Sequence, residues 1–338
     1  MAKTDLEKAQ VVNNRRVING SEEGMTLMML HPVKHSWASE LLLEMQNNAW
    51  HQNEVDLSED AKQYALDKLT GGELKAYKKA LSFLSNLDGI QLNNITRNIN
   101  KHITSPEISM CLVRQAWEEA QHLLSYNQII TSIGFDPTEI FWAYEEDEQL
   151  ANKNQYILQS SQLLGNNFTT ENFIKSIVAN VALEGVYFYS GFLVFFALER
   201  LNLMRGSAKM VQFILRDEET HLKLFTKLWG SLKEENPEVF TQAFTEECRE
   251  IIRLAVEHEV MWAKWIISEG VLGLTDVVVE QFIQHLGNER LEMLGLQKLY
   301  KVTNPVKWFD DYSSITNGKS NFFESKNAAY LHGALEWD

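Results

Sequence analysis

The sequence predicts an all-α fold in which a bundle of four core helices is surrounded by additional helices. Two observations support this prediction. Apolar residues recur every three or four positions along most of the 338 residues, which is the pattern of amphipathic helices. There are only five prolines, so little in the composition suggests a long linker or an irregular domain.

Local signals give the helix boundaries. Ser105 followed by Pro106 is typical of a helix start, and Gly134 ahead of Pro137 is typical of a helix end. The pair Gly71-Gly72 marks a break ahead of another helix. We therefore predict helices over residues 34–47, 59–69, 72–99, 106–133, 137–146, 150–163, 170–203, 206–230, 238–269 and 274–299.

Two Glu-x-x-His sequences, 99 residues apart, are the main indication of chemistry. Glu119 and His122 in the first, and Glu218 and His221 in the second, are three positions apart and so share one face of a helix. Two such motifs, with one further carboxylate from each of two other helices, form the ligand set of a di-metal site in a four-helix bundle.

Asp88 and Glu184 can supply the other two carboxylates. Asp88 lies 31 residues before the first motif and Glu184 lies 34 before the second, and each interrupts an apolar helical stripe. Burying a carboxylate costs on the order of several kcal/mol unless a cation compensates it. Four carboxylates and two imidazoles leave about four negative charges, which two divalent ions neutralise. The predicted metal ligands are Asp88, Glu119, His122, Glu184, Glu218 and His221.

Either motif alone would be weak evidence for a metal site. A single Glu-x-x-His on a helix is commonly a solvated pair, and the charged run 216–221 could be a salt-bridged outer face. The two motifs together with two acids that interrupt apolar stripes favour the metal site over these alternatives.

Composition excludes several classes of partner. The formal net charge is −15 and no cluster of Lys and Arg stands out, so nucleic acid is not expected as a partner. Cys111 and Cys248 are the only cysteines, which allows neither a disulfide framework nor a thiolate metal site. The polar start MAKTDLEKAQ lacks the apolar core of a signal peptide, so we expect a cytoplasmic protein.

One segment, 177–198, is apolar enough and long enough to span a bilayer. It carries Glu184, and a lone carboxylate in the middle of a membrane is costly. A helix that is apolar on every side is equally expected at the centre of a large soluble bundle, so no membrane association is predicted. Gly185, Ser190 and Gly191 indicate a local kink or bulge in this helix beside the metals.

These residues resemble a known family. The radical-generating small subunit of class I ribonucleotide reductase has ligand segments similar to LSNLDGIQ around Asp88, EEAQHLLSY around the first motif, ALEGVYFYSGF around Glu184, and RDEETH around the second. The similarity runs from about Trp50 to Tyr330. It implies a ferritin-like fold, a homodimer, and a chain that is inactive without a catalytic large subunit.

The loss of helical periodicity after residue 300, together with the resemblance, gives the expected domain organisation. We expect an N-terminal extension over 1–30, a ferritin-like helical domain over 31–312, and a flexible C-terminal tail over 313–338 that docks to the large subunit. Reduction of a ribonucleotide needs a thiyl radical and a reducing dithiol, which Cys111 and Cys248 cannot supply. A separate activase or flavoprotein could be a further partner that supplies the oxidant.

By the same resemblance, Tyr126 matches the tyrosine that stores the radical. It lies one helical turn after His122, where an ordinary core tyrosine is the alternative on position alone. Phe188, Phe192 and Ile214 match the apolar pocket around the radical. Some members carry phenylalanine in place of the tyrosine and store the oxidising equivalent on a manganese–iron pair. Because this chain has the tyrosine, we expect a tyrosyl radical.

Three further residues match a path that carries the radical out of the chain. Asp217 could accept a hydrogen bond from the far nitrogen of His122 and so fix its tautomer. Trp50 and the tail residue Tyr330 continue this path toward the large subunit in the family. The ligand set, without thiolate, suits iron or manganese. We expect two metal ions per chain, an Fe/Fe pair, with Mn/Mn and Mn/Fe as alternatives.

Two other classes of protein stay open on sequence alone. A di-iron hydroxylase or desaturase would use the same helices but would need a substrate pocket in place of Phe188 and Phe192. A ferritin-like metal-binding protein would need neither Trp50 nor Tyr330.

Overall fold

A computed structural model describes residues 33–143 and 167–313 continuously. It also describes shorter pieces, at residues 4, 7–8, 10–11, 14–20, 28–31, 148, 151–153 and 164. Within these residues all regular structure is helical, and the β-type pairings are two isolated bridges, Ile18 with Ile103 and Val271 with Leu274. The predicted all-α fold class is confirmed.

Ten α-helices are complete within the described residues. They are α1 Ser36–Asn47, α2 Ser58–Ala65, α3 Gly71–Asn94, α4 Pro106–Ile133, α5 Pro137–Phe141, α6 Thr170–Ala182, α7 Tyr189–Arg200, α8 Arg205–Glu235, α9 Gln242–Ile266 and α10 Asp276–Met293. Two π-helical turns extend or join them, Ile95–Ile99 after α3 and Leu183–Tyr187 between α6 and α7. Short 3-10 turns are formed by Gln52–Glu54, Asn100–His102 and Lys307–Asp311.

Most helix boundaries lie close to those expected from the sequence. Helix α4 has the predicted bounds, and α3 with its π turn fills the predicted 72–99. The long helix predicted over 170–203 is divided by the second π turn. The last predicted helix, 274–299, ends earlier because Gly295 takes a left-handed conformation with φ 69°. The helix predicted over 150–163 falls largely outside the described residues.

Four helical segments form the centre of the bundle. Helix α3 packs on α4 and α7, and α8 packs on α4, α6 and α7. Helices α1 and α2 cover one side of α4 and α8, while α9 and α10 cover the second π turn and α6. The apolar segment Thr170–Arg200 is long enough to cross a membrane, yet its most apolar window is entirely buried within this bundle. It is therefore a core helix, as expected for a large bundle.

Part of the N-terminal region packs on the bundle. Of the expected extension, 1–30, the structure describes 14–20 among other short pieces. Val17 and Ile18 are fully buried, and Ile18 pairs with Ile103. This portion of the N-terminus therefore contributes to the same hydrophobic core as the helices.

The start of α8 is fixed by a neighbouring helix. Its N-cap residue, Met204, has a left-handed backbone with φ 51° and provides no side-chain cap. Asp60 of α2 takes this role, because its carboxylate accepts hydrogen bonds from the backbone N–H groups of Gly206 at 3.0 Å and Ser207 at 2.7 Å. The Ser207 hydroxyl donates to the same carboxylate and accepts from Tyr77. Helix α2 thereby sets the position of the helix that carries the second Glu-x-x-His motif.

Replacing Asp60 with alanine should destabilise the protein by about 1–3 kcal/mol, because buried N–H donors lose their acceptor. The measurement is the midpoint of urea unfolding of the metal-free protein, followed by circular dichroism. Glu59→Ala is the matched control, since Glu59 is exposed and its 3.5 Å ion pair with Lys62 should contribute little. Equal midpoints for the two variants would show that Asp60 does not cap α8.

Candidate metal centre

The six predicted ligands come from four helical segments and meet at the centre of the bundle. All six are completely buried, and they form two overlapping groups whose ligand atoms lie within 4.8 Å of one another. The first group consists of Asp88, Glu119, His122 and Glu218, and the second of Glu119, Glu184, Glu218 and His221. Because Glu119 and Glu218 belong to both groups, the arrangement suits two adjacent metal ions that share two carboxylates.

Both imidazoles present the same nitrogen to the carboxylates. Nδ1 of His122 lies 3.1 Å from Glu218 Oε1 and 3.4 Å from Asp88 Oδ2. Nδ1 of His221 lies 2.9 Å from Glu218 Oε2 and 3.4 Å from Glu119 Oε1. The Nε2 atoms of both rings point to other carboxylates outside the cluster.

Several ligand atoms of the cluster make no hydrogen bond with any part of the chain that is described. They are Asp88 Oδ1 and Oδ2, Glu119 Oε2, His122 Nδ1, Glu184 Oε2 and Glu218 Oε1. Buried polar atoms are nearly always satisfied, so a group of orphaned atoms in one place requires an explanation. Two divalent cations that accept oxygen and imidazole ligands would satisfy all of them, so the residues fit a metal pair.

The electrostatics of the cluster agree with this reading. Burial raises the pKa of Glu119, and it raises those of Asp88 and Glu184 well above their ordinary values. Burial opposes ionisation of Glu218 too, but the positive charges of His221 and His122 lower its pKa. Without cations the cluster therefore retains protons, which metal ions would displace on binding.

The imidazoles also hold protons in this state. Burial acts against the charged form of both rings. The hydrogen bond to Asp217 nevertheless leaves the pKa of His122 well above its ordinary value. The charge of Glu218 does the same for the pKa of His221.

Glu184 lies in the π turn and is held by two amides. Gln115 donates from Nε2 to Glu184 Oε1 at 2.7 Å, and Gln91 donates to the same oxygen. Gln91 also donates to Asn180 at 2.9 Å, which anchors it to α6. One oxygen of Glu184 is thus fixed, while Oε2 remains directed to the cluster. The π turn is the local irregularity that the glycines of this helix indicated.

The π turn itself is supported from α10. Arg290 donates from Nε to the carbonyl of Gly185 at 2.9 Å, and its guanidinium lies 5.2 Å from the ring centre of Tyr189. A Cβ at Gly185 would lie 2.7 Å from Arg290 Nε, so any side chain there would collide with the arginine. Glycine is therefore needed at this position for Arg290 to reach the backbone beside Glu184.

A continuous chain of hydrogen bonds leaves the cluster through His122. His122 Nε2 lies 3.2 Å from Asp217 Oδ2, and the indole N–H of Trp50 donates to the same oxygen at 2.7 Å. Trp50 is only 6% exposed, and its ring is stacked near His122 with centroids 6.4 Å apart. The structure therefore joins Trp50, Asp217 and His122, which are far apart in the sequence.

Tyr126 and the three predicted pocket residues are all completely buried. The hydroxyl of Tyr126 makes no hydrogen bond within the described residues. Burial, together with the negative charge of Asp88, raises its pKa well above the ordinary value. The rings of Phe188 and Phe192 are stacked with centroids 5.7 Å apart, and Ile214 lies one helical turn before Glu218 on α8. The tail residue Tyr330 lies outside the described residues.

Sequence reasoning missed four residues that support the ligands. Gln91 and Gln115 lie on the same helical stripes as Asp88 and Glu119, so polar amides at these positions were a usable signal. The remaining two are Glu118, which contacts His221, and Arg290, which contacts the π turn. Only the fold brings Arg290 to the cluster, because it comes from a helix outside the four that carry ligands.

Comparison with known proteins identifies the same architecture. Residues 27–305 match the family model of the ribonucleotide reductase small chain. A ribonucleoside-diphosphate reductase subunit beta from Treponema pallidum is 35% identical, covering 97% of this chain and 93% of that protein. A subunit of the same name from Chlamydia pneumoniae is 34% identical, covering 96% of each chain.

Solved structures give the same result. The ribonucleotide reductase R2 subunit from Clostridium botulinum is 36% identical and superposes with a TM-score of 0.83, covering 88% of this chain and 94% of that one. The ferritin-like bundle is thereby confirmed, and the hydroxylase, desaturase and metal-storage alternatives are not favoured. The match extends over most of the chain in both sequence and structure, and the chain belongs to the family of ribonucleotide reductase small subunits.

Proposed function

We propose that Tyr126 holds the radical of this small subunit, and that the six clustered side chains bind the two metal ions that generate it. The family acts in reduction of ribonucleotides to deoxyribonucleotides, together with a catalytic large subunit, and forms dimers. The observation that carries the proposal is the convergence of six buried ligands in two groups that share Glu119 and Glu218. Tyr126 lies one turn from His122 on the same helix.

When bound, the metal pair supplies the oxidising equivalent that removes one electron from the phenol. The chain controls the accompanying proton. Because the pKa of Tyr126 is raised well above its ordinary value by burial, its hydroxyl stays protonated until oxidation. Loss of the electron must therefore be accompanied by transfer of that proton, and the Asp88 carboxylate, whose charge acts on the phenol, is the acceptor we propose. Buried Phe188, Phe192 and Ile214 would keep water and reductants away from the product.

The ligand chemistry supports iron or manganese. Four carboxylates and two imidazoles without a thiolate suit either metal, and geometry and availability rather than affinity decide between them. We propose an Fe/Fe pair, with Mn/Mn and Mn/Fe as alternatives. Anomalous scattering at the iron and manganese edges, on protein purified from its native host, distinguishes the three.

The cysteines of the chain support the proposal that the large subunit carries out the thiol chemistry. Cys111 and Cys248 are fully buried, and burial raises the pKa of each thiol to about 12. Neither is a thiolate at neutral pH, and neither is accessible to a nucleotide. The thiol chemistry of nucleotide reduction therefore belongs to the partner, and this chain supplies the radical.

The route from the metals to the partner is proposed to begin with His122, Asp217 and Trp50. The C-terminal tail, 313–338, would dock to the large subunit and present Tyr330, which lies outside the described residues. We retain the N-terminal extension, 1–30, and the helical domain, 31–312, as the domain organisation. A cytoplasmic location and an activase or flavoprotein that supplies oxidant are further parts of the proposal.

Replacing Glu218 or His221 with alanine should remove at least one of two metal ions per chain while helix content is preserved. The reason is that both contribute to the second group of ligands, and Glu218 also belongs to the first. Metal content by mass spectrometry and circular dichroism are the measurements. Glu219→Ala is the matched control, because that buried carboxylate on the same helix accepts from Ser313 and belongs to neither ligand group. Two metals retained in a Glu218→Ala, His221→Ala double variant would contradict the ligand assignment.

Replacing Tyr126 with phenylalanine should leave both metals and the fold intact but abolish the stable tyrosyl signal in electron paramagnetic resonance, and with it reductase activity. Stability should change by less than about 1 kcal/mol, because the lost hydroxyl makes no hydrogen bond to any residue that the structure describes. Tyr77→Phe removes a buried hydroxyl that is bonded to Ser207, and it should retain the radical. Full turnover by Tyr126→Phe would instead mean that the oxidant is stored on the metals.

Replacing Tyr330 with phenylalanine should leave metals, the Tyr126 radical and large-subunit binding intact, yet stop nucleotide reduction, because phenylalanine is much harder to oxidise. The measurement is turnover of a ribonucleoside diphosphate with the cognate large subunit, alongside radical content. Tyr312→Phe provides the control, since that ring is stacked on Phe196 with centroids 4.0 Å apart and has no proposed role in transfer. Normal turnover in Tyr330→Phe would rule out that residue as the exit point.

A further inference from the structure

We propose that Glu118 is the positioning residue of His221, and that each motif orients the imidazole of the other. The unit is then five residues long, an acid followed by Glu-x-x-His, and it occurs twice in the chain. This inference rests on the proposed metal ligands and adds to them a residue that does not touch the metals.

The contacts of the two motifs are reciprocal. Glu118 immediately precedes Glu119 on α4, and its Oε2 lies 3.0 Å from Nε2 of His221 on α8. Asp217 immediately precedes Glu218 on α8, and its Oδ2 lies 3.2 Å from Nε2 of His122 on α4. Each acid therefore reaches the histidine on the opposite helix. Both acids are almost completely buried, at 1% exposure for Glu118 and 2% for Asp217.

Glu118 is itself held in place. Its second oxygen, Oε1, accepts a hydrogen bond from Nε of Arg114 at 3.0 Å, one helical turn earlier. Arg114 also donates to the carbonyl of Met45 at 3.2 Å, and its guanidinium lies 4.3 Å from the ring centre of Trp117. With one oxygen fixed by the guanidinium, the other can face only a limited range of directions, and it faces His221.

The chemistry of this contact is that of a ligand support. A carboxylate that accepts from Nε2–H fixes the tautomer and the ring orientation of His221, so that Nδ1 is free for a metal ion. Such supports are typically worth about 10–100-fold in metal affinity. The nitrogen geometry agrees, because Nδ1 of His221 faces Glu119 and Glu218.

The two supporting acids, Glu118 and Asp217, differ in one of their hydrogen-bond partners. Each acid has a guanidinium beside it, with Arg114 Nε 3.0 Å from Glu118 Oε1 and Arg216 Nε 3.9 Å from Asp217 Oδ1. Asp217 in addition accepts from the indole of Trp50 at 2.7 Å. An indole can lose an electron, and a guanidinium cannot do so under the same conditions. Glu118 and Asp217 therefore share the positioning role, while among the described residues the oxidisable partner, Trp50, is bonded to Asp217.

Zinc-loaded protein labelled with 15N-histidine tests the proposal without any need for reductase activity. An imidazole N–H that donates to a carboxylate gives a far-downfield proton resonance that exchanges slowly with water. Wild-type protein with two zinc ions should show one such resonance from each of His122 and His221. Glu118→Gln should shift or abolish the His221 resonance only, and Asp217→Asn the His122 resonance only.

Zinc affinity, measured by competition with a chelator, is the second readout. Each of these two variants should lower the affinity for one of the two zinc ions by about 10–100-fold and leave the affinity for the other unchanged. The matched control is Glu107→Gln, which removes a buried carboxylate on the same helix that accepts from the backbone of His35. It should change neither resonance and neither affinity.

Three outcomes would overturn the proposal. Glu118→Gln with both resonances and both affinities unchanged shows that the contact positions nothing. Equal changes in Glu107→Gln show a general effect of helix stability. If the wild-type protein binds fewer than two zinc ions, the proposed ligand set is refuted. The role of Glu118 as the positioning residue of the ligand His221 is then refuted with it.

Discussion

The fold is organised around the burial of four carboxylates in an apolar bundle. Taking a carboxylate out of water without compensation is costly, so this arrangement is stable only where cations, protons or hydrogen-bond donors replace the water. The chain supplies donors only in part. Amides from Gln91 and Gln115 hold one oxygen of Glu184, but Asp88 receives no hydrogen bond within the described residues. Without metal ions, protons and the two charged imidazoles supply the remainder of the compensation, and two divalent cations would supply it when bound.

That requirement explains features of the helices that propensity alone does not. A regular α-helix over 170–200 would continue through Glu184 without interruption. The structure instead has a π turn at this position, Leu183–Tyr187. Arg290 reaches the backbone at this turn because Gly185 has no side chain. The start of α8 is likewise fixed from outside, by Asp60. Elements remote in sequence thus hold the ligand-bearing helices in place.

Much of this could be predicted from the sequence, and the reasons are local. The bounds of α4 follow from Pro106 and Gly134, and the six clustered side chains follow from i, i+3 spacing on apolar stripes. The contacts of Arg290 and Asp60 could not be predicted, because they depend on packing between helices far apart in the chain. The role of Glu118 could have been predicted, since an acid immediately precedes the glutamate in both motifs.

The two halves of the centre are similar in ligands and different in surroundings. In each motif an acid, a glutamate and a histidine follow the same order, so the immediate environment of both metal positions is built from the same parts. The difference lies in the residues that donate to the two supporting acids. Trp50 donates to Asp217, and Arg114 donates to Glu118. Both acids lie beside an arginine, and the indole of Trp50 adds to Asp217 a partner that can lose an electron. The direction of radical transfer out of such a centre therefore depends on the residues that contact the supporting acids, rather than on the ligands themselves.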